Sequence, residues 1–257
     1  MTNVAGLSSF QTIRVTVSTF HLEVKTGAKG RAVGHSDYIR REGRYRSRED
    51  LVEVGYGNLP SWAEGSARAF WAAADAHERM NGAAYREFII ALPNELVGSR
   101  SRELVQDLIH FLAGTKTYEY AVHAPEASLE GGINMHLHLM VSDRMPDGFQ
   151  RSAPQMFRRY NSYRPETGGC RKDACGRTSV QVRESLIETR QTVASIINEH
   201  LQRNGITERV DHRTLKEQGV GRRAERHLGA FRIRGMSENE RSAYVDARQA
   251  MRGQRRL

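Results

Sequence analysis

Cysteine is scarce in this chain: Cys170 and Cys175 are the two present in 257 residues. Four residues separate them in GGCRKDACGR. That gap is wider than a zinc knuckle uses, and no second pair exists, which argues against a zinc knuckle and a multi-bridge disulfide framework. A redox pair, or a site completed by a distant histidine, stays open beside the plainer expectation of reduced thiols in a mobile basic loop. Long apolar runs are also missing. No segment approaches the length of a membrane span, and the opening MTNVAGLSSFQTIR has no apolar stretch of the kind a signal peptide needs. The expectation is a soluble, cytoplasmic protein without membrane insertion. Acidic charge is in deficit: 30 Asp and Glu face 39 Lys and Arg, giving a net charge of +9 and a pI near 9.9. Such a balance suggests a polyanionic partner, nucleic acid first, although a merely basic protein would show it too.

What is present can build a core, since 39% of residues are apolar and the length permits one large domain or two small ones. IRVTVSTFHLEV alternates as a strand does, from about Ile13 to Val24, and a basic loop, KTGAKGRAVG, follows. HSDYIRREGRY has the pattern of a short helix. Ser61 with Glu64 forms a capping-box pattern for a helix that stops at Asn81-Gly82. YREFIIAL is a strand ending at Pro93. Leu104, Leu108, Ile109 and Leu112 lie at helical spacing up to Gly114. Further helices are expected around Pro154 to Tyr160, from Val180 to Arg203, and after a capping box at Ser237 and Glu240. No internal repeat or long linker interrupts this. The fold class read from it is α+β: a mainly antiparallel central sheet with helices packed on its apolar face.

Chemistry concentrates in three histidines. In NMHLHLMVSD, His136 and His138 lie two apart on a strand and project from one face, while Leu137, Leu139 and Val141 project from the other. Upstream, TYEYAVHA places Tyr118, Tyr120 and Val122 on one face and Glu119, Ala121 and His123 on the other. If the two strands pair, three imidazoles converge, enough to hold a divalent ion with open positions for substrate. The plainer alternative is a solvated sheet face carrying unrelated polar residues.

A second constellation precedes it. Tyr38, Arg41 and Tyr45 fall at i, i+3 and i+7, so a helix would put them on one face. Arg40, Arg41, Arg44 and Arg46 surround them with positive charge suited to DNA. Tyr38 can serve as a covalent nucleophile or simply as an amphipathic side chain at a helix–sheet contact. Arg144, Arg158, Arg159 and Arg164 follow the histidine strand, interleaved with Phe157, Tyr160 and Tyr163. Cations among aromatics suit a groove that tracks a single-stranded backbone; a solvated basic helix with Phe157 in the core is the other reading.

Taken in order, SDYIRREGRY, AHERMNGAAYREFIIALPNEL, VHAP with INMHLHLMVSDR, MFRRYNSYRPETGG and VDHRTLKEQG resemble the MobA/MobL family of plasmid mobilisation relaxases, single-strand DNA endonucleases of the HUH type. The resemblance runs from about His21 to Gly229, with Met135 standing where the family often has proline. It implies the HUH-endonuclease relaxase fold, with a flexible N-terminus over 1–10, a nicking domain over 11–230, and a C-terminal helix and basic tail over 231–257. It implies Tyr38 as nucleophile, and His123, His136 and His138 as ligands of Mg²⁺ or Mn²⁺. It matches Glu87 to a family glutamate, which orients a ligand histidine, helps position the tyrosine proton, or makes a salt bridge to an arginine. The implied partner is single-stranded DNA at an origin of transfer, beside an inverted repeat, with accessory mobilisation proteins and a coupling protein possible. A rolling-circle replication initiator using Tyr160 or Tyr163, and a nonenzymatic DNA-binding module with a structural metal, stay open as rivals.

Overall fold

The structure, a computed structural model, describes residues 17–18, 20–127, 132–221, 228, 232–233 and 235–253. Its centre is a five-stranded sheet of order β2-β4-β6-β5-β3, every neighbouring pair antiparallel. The strands are β2 (Leu22–Ala28), β3 (Leu51–Gly57), β4 (Ala83–Ala91), β5 (Tyr118–His123) and β6 (His136–Val141). A short parallel pair, β1 (Val17–Ser18) with β7 (Arg209–Val210), stands apart from it. The strand expected over Ile13 to Val24 therefore falls partly outside the described residues, and β2 runs on into the segment expected as loop.

Helices cover both faces of this sheet, not one. On one face, α3 (Ser99–Ala113) and α5 (Ser179–Arg203) press onto Phe88, Ile90, Leu137, Leu139 and Val141. The α3 stripe of Leu104, Leu108, Ile109 and Leu112 is buried there, each side chain contributing on the order of 2 kcal/mol. On the other face, α1 (Ala32–Ile39) and α2 (Ala67–His77) pack Ile39, Phe70 and Trp71 against Tyr85, Ala121 and Met140. The histidine-bearing face is thus apolar along part of its length, and α1 is pinned to it close to the histidines.

Local sequence explains most boundaries. Thr178 and Gln181 form a reciprocal capping box that opens α5. Ser237 and Glu240 do the same for the C-terminal helix, Glu238–Gly253. The box expected at Ser61 does not form. Glu64 takes a left-handed conformation and Gly65 has φ +74°, so a 3₁₀ turn closes there and Ser66 caps α2 through Ala69 N–H. The helix expected over Pro154 to Tyr160 is a single turn, α4 (Ala153–Met156), and α2 stops at His77, short of Asn81.

Candidate metal and nucleophile site

Strand register brings the three histidines together. His136 pairs directly across from His123, and His138 across from Ala121, two positions along the same face. One ligand atom from each ring lies within 4.8 Å of the other two. The back of every ring is committed. His138 Nδ1 donates to Glu87 Oε1 at 2.7 Å, His136 Nδ1 to the Asn134 carbonyl at 2.8 Å, and His123 Nε2 to the Ile39 carbonyl at 2.7 Å. Each ring then keeps its other nitrogen as a lone pair, the arrangement that outer-shell partners impose on metal-binding imidazoles. The His123 lone pair, on Nδ1, also faces Arg41 Nη2 at 3.1 Å. Burial pushes His123 down to about 4 and lowers His136 as well, so both are neutral bases near pH 7. Three clustered imidazoles, each with one nitrogen tied to a carbonyl or carboxylate behind it, fit a divalent ion.

Glu87 lies on the histidine face because β4 alternates, and it is buried. Its Oε1 also lies 2.8 Å from His35 Nε2, a close contact without the direction of a hydrogen bond. Burial acts to raise the Glu87 carboxyl, but the contacts from His138 and His35 outweigh it and hold the pKa at about 2.

Tyr38 is carried to this cluster by α1. That helix has no side-chain cap of its own. Asp75, from α2, accepts the N–H groups of Gly30, Ala32 and Val33 at 2.8–2.9 Å, which satisfies the helix start and locks it in place. The helix ends at Ile39, so Tyr38, Arg41 and Tyr45 do not share a helix face as expected. Arg41 takes φ +58°, a conformation costing a non-glycine residue roughly 1 kcal/mol, and turns inward instead. It forks onto both oxygens of Asp50 at 2.7 Å, donates to the Tyr38 carbonyl, and sets its guanidinium 4.9 Å from the Tyr38 ring centroid. That bidentate bond holds the Asp50 carboxyl below its usual range. The Tyr38 ring stands at right angles to His138 with centroids 6.0 Å apart, and edge-on to Tyr45 at 5.2 Å. Tyr38 and the histidines, separated by about a hundred positions in sequence, share one site.

The arginines divide. Arg144 is buried, its guanidinium consumed by Glu78 and by the carbonyls of Phe157, Arg158 and Cys170. The expectation that it tracks DNA is corrected: a fully bonded interior guanidinium has no donor for a phosphate. Arg41 is likewise spent inside, and Arg40 pairs with Glu42 and Glu119. Arg44 is exposed and bonds to Tyr45 Oη. Arg158, Arg159 and Arg164 are exposed, beside half-buried Tyr160 and exposed Tyr163, while Phe157 is core. Arg158, Arg159 and Tyr160 line one cavity of about 560 Å³. Cys170 is buried and Cys175 exposed, both free. His35 was not among the expected residues; its place one helical turn before Tyr38 was the available signal.

An antiparallel sheet presenting three imidazoles under a helix-borne tyrosine defines a candidate metal-assisted site for a polyanionic substrate. Residues 29–238 match the MobA/MobL family, and the chain belongs to that family. It is 40% identical over 209 residues to the 43 kDa relaxation protein of Salmonella typhimurium, covering 80% of this chain and 56% of that protein. It is 37% identical over 219 residues to mobilization protein A of Escherichia coli, covering 83% of this chain and 30% of that one. The chain thus spans about half or less of the length of these curated relatives. A solved structure from a study of vancomycin resistance transfer in Staphylococcus aureus shares the fold, with a TM-score of 0.55 at 20% identity over 77% of this chain and 100% of that one.

Proposed function

We propose that this chain nicks and rejoins one DNA strand at a plasmid origin of transfer, by metal-dependent tyrosine transesterification, and so begins conjugative mobilisation in the bacterial cytoplasm. The observation that carries this reading is the placement of Tyr38 edge-on to His138 within the cluster of His123, His136 and His138.

His123, His136 and His138 would hold Mg²⁺ or Mn²⁺, which when bound neutralises charge on a phosphodiester. Glu87 fixes the His138 tautomer and ring. Arg41 holds the loop after α1 and the Tyr38 carbonyl, keeping the tyrosine at the site. The Tyr38 oxygen attacks phosphorus, the bond to the 3′ oxygen breaks, and the products are a 5′-phosphotyrosine and a free 3′-hydroxyl. The phenol gives up a proton and the departing oxygen takes one. One phosphodiester replaces another, so the step reverses without ATP and can reseal the strand. The substrate is taken unpaired at the nick, because the Tyr38 oxygen must line up opposite the departing 3′ oxygen and an opened strand can turn its backbone to allow this. Arg158, Arg159 and Arg164 with Tyr160 and Tyr163 offer phosphate contacts and stacking surfaces for the flanking strand. An inverted repeat beside the nick, accessory mobilisation proteins and a coupling protein complete the proposal.

The test incubates single-stranded oligonucleotides tiling the DNA next to the gene with protein and Mn²⁺. An SDS-stable adduct, abolished by EDTA and by Tyr38→Phe, is expected. Binding without adduct or cleavage under any divalent metal would sink the proposal and leave a binding module with a structural site.

A further inference from the structure

We propose that His35 is a positioning residue for Tyr38, the middle ring of a stacked column that sets where the nucleophile's ring stands; this rests on the nicking reading above. The column starts at the sheet. Gly27 of β2 pairs with Tyr85 of β4, and a side chain at Gly27 would meet the Tyr85 ring at 1.9 Å. Glycine therefore lets Tyr85 lie flat over the strand. His35 stacks on Tyr85 with centroids 5.0 Å apart and planes 11° from parallel. Tyr38 stacks on His35 at 5.7 Å and 29°. His35 and Tyr38 are three apart on α1, so the helix itself sets one ring beside the other.

One carboxylate ties this column to the metal side. Glu87 Oε1 meets His138 Nδ1 at 2.7 Å and His35 Nε2 at 2.8 Å. A displacement of Glu87 would move both a metal ligand and the ring on which Tyr38 rests. The same geometry argues against His35 as the proton acceptor of Tyr38. A base must aim an in-plane nitrogen at the phenol oxygen, whereas His35 turns a ring face to Tyr38, with its Nε2 lying against Glu87. What it supplies is a flat surface at a fixed height, and a 1 Å error in the attacking group can cost about a hundredfold in rate.

The test compares His35→Phe, which keeps a flat ring, with His35→Ala, which removes it. Single-turnover adduct formation at saturating Mn²⁺ and oligonucleotide should fall about 10–100-fold in His35→Ala and stay within about threefold in His35→Phe. Dissociation constants for Mn²⁺ and for the oligonucleotide in EDTA should stay within about threefold in both variants. Independently of activity, metal-free protein carrying 3-fluorotyrosine should show the Tyr38 fluorine resonance, assigned by its loss in Tyr38→Phe, displaced in His35→Ala and retained in His35→Phe. A Phe variant as slow as the Ala variant would overturn the proposal, because the nitrogens and not the ring would then be acting. An unmoved resonance or an undiminished rate in His35→Ala would overturn it as well. Absence of adduct from the wild-type protein would defeat the nicking reading instead, and the fluorine comparison would still decide whether the column holds Tyr38.

Discussion

Glu87 and His138 are joined by a 2.7 Å hydrogen bond whose donor, Nδ1, leaves Nε2 as the lone-pair nitrogen of a ring clustered with His123 and His136. A buried carboxylate behind a metal-binding imidazole raises the ligand's basicity and fixes its tautomer. Glu87→Gln keeps the size and removes the charge. Its Mn²⁺ affinity should fall about tenfold or more by calorimetric titration. Unchanged affinity would mean that Glu87 serves packing alone.

The low Glu87 pKa has a consequence for stability. Its folded value, about 2, lies below an ordinary glutamate's, so the stabilisation is complete above roughly pH 4.5 and is lost as pH falls through about 2. The amount is on the order of 2–3 kcal/mol. Wild-type protein should therefore lose its stability margin over Glu87→Gln as pH drops from about 5 to 2 in denaturant titrations. A margin independent of pH over that range would contradict the assignment.

Arg144 belongs to the interior. Arg144→Met leaves Glu78 buried with Lys172 as its remaining ion-pair partner, and should destabilise the fold by about 3–5 kcal/mol. Urea unfolding measures this directly. A stable Arg144→Met protein with weakened DNA binding would restore the DNA-facing role.

Surface arginines should behave differently. Removing Arg158, Arg159 and Arg164 together should leave urea stability nearly unchanged. The salt dependence of oligonucleotide binding should flatten by about 0.7 in log K per log salt for each phosphate that is no longer neutralised. Fluorescence anisotropy from low to moderate salt would show it, and an unaltered slope would remove these residues from the DNA path.

Much of this was legible in the chain because alternation and helical spacing are local signals. Strands β4, β5 and β6, the α3 stripe and the shared face of Glu87 with the histidines follow from periods of 2 and 3.6. What escaped depends on residues distant in sequence. Asp75 caps α1 from another helix, so the start of α1 carries no cap in its own sequence. Arg41 enters the left-handed region because Asp50 and His123 wait for its guanidinium, which no propensity predicts. Arg144 looks like any surface arginine until Glu78 and three carbonyls enclose it. The Ser61 box had the right residues, but Glu64-Gly65 turns the chain before a helix can start.

In the proposed nicking reaction Tyr38 attacks the phosphodiester. The most direct measurement is mass spectrometry of the peptide that stays covalently bound to DNA after an Mn²⁺-dependent reaction and protease digestion. One phosphodiester-linked peptide spanning Tyr38 is expected, with the modification on that residue. A modified peptide carrying Tyr160 or Tyr163 would contradict it and point to an initiator-like use of the same histidines.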